Sequence, residues 1–110
     1  MFEKDLKISY LLDFYGDVLT ERKKEVLDMY YNEDLSLSEI AEQIGISRQG
    51  VRDLIKKAEE ELSFLEEKLG LAQKMSAIRV HSDKISELAK DTSVSQELLK
   101  EIEEIVRIIK

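Results

Sequence analysis

The sequence predicts an all-α protein, on three observations. The 110 residues contain no proline and only four glycines, so little interrupts a helix. Apolar residues recur at spacings of three and four along most of the chain, and no stretch alternates as a strand does. The run from Leu37 to Lys57, LSEIAEQIGISRQGVRDLIKK, has the pattern of a helix-turn-helix. In it Ala41 is a small contact residue, Gly45 is free to take positive φ in the turn, and Ile40, Ile44, Ile46, Val51 and Leu54 supply a shared core. A unit of this kind presents its second helix to a DNA major groove.

The elements follow in order. The first helix is expected from about Asp5 to Tyr15, ending at Gly16. Its apolar set, Leu6, Ile8, Tyr10, Leu11, Leu12, Phe14 and Tyr15, is too broad for one narrow stripe, so the helix is either nearly engulfed or meets another subunit. Thr20 is a good N-cap for the second helix, with Glu21 in its first turn. Val26, Leu27, Tyr30 and Tyr31 mark that helix's buried side, and Asn32 to Asp34 end it. Ser36 caps the third helix, and Glu39 three residues on completes a capping box. Ser47 caps the fourth by the same logic.

The fourth helix is predicted to run on well past a minimal reading helix. Val51, Ile55, Ala58, Leu62, Leu65 and Leu69 continue in a coiled-coil-like seam. From Arg48 to Leu69 it is about 33 Å long at ~1.5 Å per residue, and Gly70 stops it. A fifth helix is expected from about Leu71 to Lys90, with Leu71, Met75, Ile78, Ile85 and Leu88 or Ala89 on one side. The DTSVS stretch breaks it. Ser95 caps a sixth helix, whose apolar residues are Leu98, Leu99, Ile102, Ile105, Val106, Ile108 and Ile109. The last 45 residues hold no aromatic, which suits a packing arm rather than a ligand pocket.

Composition excludes several classes. Without cysteine there is no disulfide framework or thiol chemistry, and with His81 as the lone histidine the common zinc sites are excluded. His81 is expected to be packed or exposed, not a ligand. No metal or cofactor is expected. Glu59 to Glu61 with Glu66 and Glu67 spread around one helix with no His, Cys or glycine-rich loop to complete a site. They are expected to form a solvated face or an electrostatic gatekeeper that keeps the helix off DNA, and no enzyme is expected. The N-terminus, MFEKDLKISYLL, is not a secretory signal, and no apolar run approaches the ~20 residues that span a membrane. A cytoplasmic protein is expected.

The net charge is −7, yet residues 47–57 carry Arg48, Arg52, Lys56 and Lys57 against Asp53, a net of +3. The fourth helix therefore opens as a basic island on an acidic chain, and nonspecific DNA affinity should be weak. Opposite Val51, Leu54 and Ile55 stand Gln49, Gly50, Arg52, Asp53 and Lys56. Gln49 matches adenine, and Arg52 matches guanine or phosphate. Asp53 can accept from cytosine among the bases and would repel phosphate. Ser47 and Arg48 at the helix start suit backbone positioning, and Lys56 and Lys57 are phosphate contacts or solvated cations. An exposed glycine inside a helix costs about 1 kcal/mol relative to alanine. Gly50 therefore marks either a close approach by a base or partner backbone, or tolerated surface variation.

The stretch LTERKKEVLDMYYNEDLSLSEIAEQIGISRQGVRDLIKKAEEEL, Leu19 to Leu62, resembles the promoter-reading fourth region of bacterial sigma factors. More of the chain is similar to the YlxM family of small bacterial helix-turn-helix proteins, whose genes lie beside those for the signal recognition particle GTPase and its receptor. The likeness is strongest from Leu19 to Leu62 and weakest after Gly70. It implies a DNA-binding regulator with a link to protein targeting. In sigma-like modules the start of the second helix lies against the DNA backbone, so the resemblance implies phosphate contacts at Thr20, Arg22, Lys23 and Lys24.

The expected architecture is a sigma-like helix-turn-helix core at about 17–62 within a DNA-binding-like domain, 1–69, that includes the N-terminal helix. A C-terminal helical arm, 70–110, serves packing and oligomerisation. The first helix and the arm hold more apolar surface than a monomer of this size hides, so a homodimer or higher homo-oligomer is expected. An adaptor that contacts a protein or RNA component of the targeting machinery is the alternative to a DNA-binding regulator.

Overall fold

The computed structural model describes residues 6–91 and 93–109. Among them are six helices and no strand: α1 Leu6–Tyr15, α2 Glu21–Tyr31, α3 Leu37–Ile44, α4 Arg48–Leu69, α5 Leu71–Asp91 and α6 Gln96–Ile109. The expected start of the first helix at Asp5, and Thr92 in the break before the sixth, lie outside the described residues. The chain divides into two compact units, 1–69 and 70–110.

In the first unit α4 is the spine, and α1, α2 and α3 each pack on it. Its buried residues, Val51, Ile55, Ala58 and Leu62, follow the predicted seam and are fully enclosed. Leu11, Val26, Leu27 and Ile40 are the fully buried residues that the other three helices bring to this core. The seam fades sooner than its spacing predicts: Leu65 is half-buried and Leu69 exposed. The shared core of the helix-turn-helix is also narrower than expected. Ile40 and Val51 are buried, but Ile44, Ile46 and Leu54 are only half-buried, because the main core lies further along α4.

The ends of these helices are set by local chemistry. The Thr20 side chain accepts from the Lys23 amide at 3.3 Å. Ser36 and Glu39 form the reciprocal capping box: the Glu39 amide donates to Ser36 Oγ at 3.1 Å, and the Ser36 amide donates to Glu39 Oε1 at 3.0 Å. Gly45 ends α3 at φ +73°, with its amide bonded to the Ala41 carbonyl. That is the left-handed conformation glycine adopts at least cost. Gly70 ends α4 in the same way, at φ +61°.

Two features depart from expectation. A single 3-10 turn, Gly16–Val18, follows α1 and delivers the buried Leu19. α1 itself is not engulfed. Ile8, Leu11, Leu12 and Tyr15 are buried, Tyr10 and Phe14 are half-buried, and Leu6 is 81% exposed.

The second unit is a hairpin in which α5 packs on α6, and Arg79 Nη2 donates to the Ile109 carbonyl at 3.3 Å. Ser95 caps α6 by accepting from the Leu98 amide at 3.1 Å. Among the described residues of this unit only Ala72, Ser82 and Ala89 are buried, and α6, Gln96–Ile109, has no buried residue. His81 is exposed.

Candidate nucleic-acid interface

α4 divides lengthwise into a buried arc and an exposed one. With Val51 and Ile55 facing the core, a period of 3.6 residues turns Gln49, Arg52, Asp53 and Lys56 outward. All four are exposed, as are Ser47, Arg48 and Lys57. Gln49, Arg52, Asp53 and Lys56, with Ile55 and Glu59, line an open depression of about 400 Å³. Gln49 Nε2 donates to Asp53 Oδ1 at 3.0 Å, one turn along the helix. The Asp53 carboxylate thereby fixes the amide's orientation and leaves its carbonyl and second N–H for a ligand. Arg48, Arg52 and Lys56 surround this pair with positive charge.

Ser47 also serves the fold. Its Oγ accepts from the Gly50 amide at 2.9 Å, which caps α4. Gly50 is half-buried, not exposed as its position in the sequence suggests. It stands in the first turn, and a Cβ there would lie 3.2 Å from Ser47 Oγ and 3.4 Å from Ile46 Cδ1. Close packing on its own turn accounts for this glycine, a reason neither sequence-based reading included.

The start of α2 forms a separate patch. Thr20 and Arg22 are exposed. Lys23 Nζ is 3.0 Å from Glu61 Oε2, and Lys24 Nζ is 2.5 Å from Asp17 Oδ1. The Asp17 partner holds the Lys24 ammonium above its ordinary pKa, and Lys24 in turn depresses the Asp17 carboxyl. Any phosphate at these lysines competes with a carboxylate already in place. Glu61 stands twelve residues along α4 from Gln49, about 18 Å of helix. The structure thus groups the candidates on α4 and leaves Thr20 and Arg22 apart from them.

The glutamates of α4 are more than a solvated face. Tyr31 Oη donates to Glu59 Oε1 at 2.8 Å, and Tyr15 Oη donates to Glu66 Oε1 at 2.6 Å. With the Lys23–Glu61 pair, three of the five carboxylates tie α1 and α2 to the spine, while Glu60 and Glu67 stay exposed. Among the described residues no three His, Cys, Asp or Glu side chains gather to hold a metal ion. No helix among them is long and apolar enough to cross a membrane.

Comparison with known proteins supports the helix-turn-helix fold. The sequence profile of the UPF0122 family, helix-turn-helix proteins of the YlxM / p13-like kind, matches residues 2–105. The UPF0122 protein of Thermoanaerobacter sp. strain X514 is 47% identical over 107 residues, covering 94% of this chain and 92% of its own length. That of Clostridium perfringens strain SM101 is 42% identical over 103 residues, covering 93% and 92%. A relative from Desulforamulus reducens is 54% identical over 70 residues, covering 64% and 60%. The chain belongs to the UPF0122 family of YlxM / p13-like helix-turn-helix proteins.

Proposed function

We propose that this protein is a non-enzymatic, cytoplasmic DNA-binding regulator that seats the first turns of α4 in the major groove and acts as a homodimer. The observation that carries the reading is the exposed arc of α4, where Arg48, Arg52 and Lys56 surround the hydrogen-bonded Gln49–Asp53 pair on an otherwise acidic chain. Gln49 reads adenine through its free carbonyl and N–H, and Arg52 takes guanine or an adjoining phosphate. Ser47 and Arg48 at the helix N-terminus, with Lys56 and Lys57 along its flank, hold the DNA backbone. Arg22 and Thr20 reach phosphates outside the groove. The family likeness supports a regulatory role connected with protein targeting.

The net charge of −7 favours a second reading, in which the basic island docks one acidic protein or RNA of the targeting machinery. Titration of labelled duplex DNA at two salt concentrations separates the two. Under the first reading, Arg52→Ala weakens binding by about 1–3 kcal/mol and relaxes discrimination at one base pair. Absence of measurable DNA affinity at low salt, or affinity indifferent to Arg52, contradicts it and leaves the adaptor.

A further inference from the structure

We infer that the exposed face of the α5–α6 hairpin is the self-association surface of this protein, with α5 of one copy packed against α6 of the second. The hairpin cannot be complete alone: its buried side chains are small, and α6 buries none. On α6, Leu99, Ile102, Val106 and Ile109 are half-buried, while Leu98, Ile105 and Ile108 form a second apolar stripe beside them, with Ile108 70% exposed. On α5 the corresponding stripe is Ile78, Ile85 and Leu88, beside the inward-facing Met75, Ser82 and Ala89.

Each stripe lies about a quarter turn from its helix's packed face, displaced in the same sense when either helix is viewed from its own N-terminus. The helices pack together across a short connection and so run antiparallel. Equal displacement on antiparallel helices places both stripes on one face of the hairpin. Ile78 to Ile85 and Leu98 to Ile105 are also each seven residues apart, the repeat of a helix–helix seam.

Two observations identify the occupant as a second copy. Its apolar members are all aliphatic, without the Trp or Tyr anchors that dominate interfaces between unlike proteins, and the exposed His81 stands among them between Ile78 and Ile85. It is also self-complementary in charge: α5, residues 71–91, carries +1 and α6, residues 96–109, carries −2. A twofold pairing of α5 with the partner's α6 sets opposite charges side by side and closes a four-helix bundle, the arrangement a C2 interface requires. Pairing α5 with α5 would oppose like charges.

This inference rests on the homodimer of the proposed reading and is independent of the ligand of α4. Light scattering on the full chain after size exclusion is the test, with Leu98→Glu/Ile105→Glu and Ile78→Glu/Ile85→Glu as arm variants and Leu6→Glu as the variant in α1. The wild type should show twice the 12.8 kDa of one chain. Each arm variant should raise the dimer dissociation constant by about a hundredfold or more with its far-UV helix signal kept, and Leu6→Glu should leave it unchanged. A monomeric wild type overturns the dimer itself. A dimer that survives both arm variants, or that Leu6→Glu dissociates, overturns the arm as its seat while the dimer stands. Hydrogen exchange of the wild type on dilution checks the same point without substitutions. Loss of protection should fall in α5 and α6, and loss confined to α1 contradicts the proposal.

Discussion

Gln49 and Asp53 show how one side chain sets the task of another. The 3.0 Å bond fixes the Gln49 amide, yet the same carboxylate repels DNA phosphate. The two effects have opposite signs and are separable. Asp53→Ala should raise nonspecific affinity by removing a negative charge while losing about 1 kcal/mol of discrimination at the base pair under Gln49. Asp53→Asn keeps an acceptor for Gln49 Nε2, so affinity should rise with discrimination intact. Binding curves on matched and singly mismatched duplexes check both, and equal discrimination in the two variants contradicts this role. Glu39 offers a second test. The Ser36 amide and hydroxyl hold its carboxyl below its ordinary pKa of 4.5. A depressed folded-state value contributes stability that is full above the ordinary pKa and lost as pH falls through the folded one. Melting of wild type and Glu39→Gln between neutral and acid pH should therefore converge on acidification, since glutamine keeps the capping bond without the charge. The caps at Thr20 and Ser36 and the glycine at 45 were legible in the sequence, because their partners lie within four residues. The bonds from Tyr15 to Glu66 and Tyr31 to Glu59 were not, because they join residues 51 and 28 positions apart.

At the scale of elements, α4 does two jobs along one axis. Its first turns expose a basic arc, and its remainder is the spine on which α1, α2 and α3 pack. Hydrophobic spacing predicted its full extent, Arg48 to Leu69, because one repeat runs unbroken through both parts. The same spacing overstated the seam at Leu65 and Leu69. Periodicity marks the face a helix offers and not where its neighbours end. The 3-10 turn after α1 left no comparable signal in three residues. Gly50 belongs at this scale too. Alanine in a helix gains about 1 kcal/mol over glycine when nothing resists it. Here its Cβ meets the capping Ser47 Oγ and Ile46. Gly50→Ala should therefore leave the unfolding midpoint nearly unchanged in a denaturant titration. A gain of the full propensity value would show that the first turn yields freely.

For the whole molecule, charge and apolar surface are divided between the two units. Positive charge gathers on one exposed arc of α4, five glutamates follow it on the same helix, and a run of exposed aliphatic side chains lies along α5 and α6. Under the proposed reading this arrangement disfavours nonspecific attraction to DNA and concentrates recognition in a few side chains, and the proposed second copy would supply a second reading helix. The most direct measurement is selection from a random duplex pool at near-physiological salt, with an Arg48→Ala/Arg52→Ala variant in parallel. The account predicts an enriched motif with two related half-sites that disappears in the variant. A pool that stays unenriched, or a motif that the variant selects equally well, would contradict it.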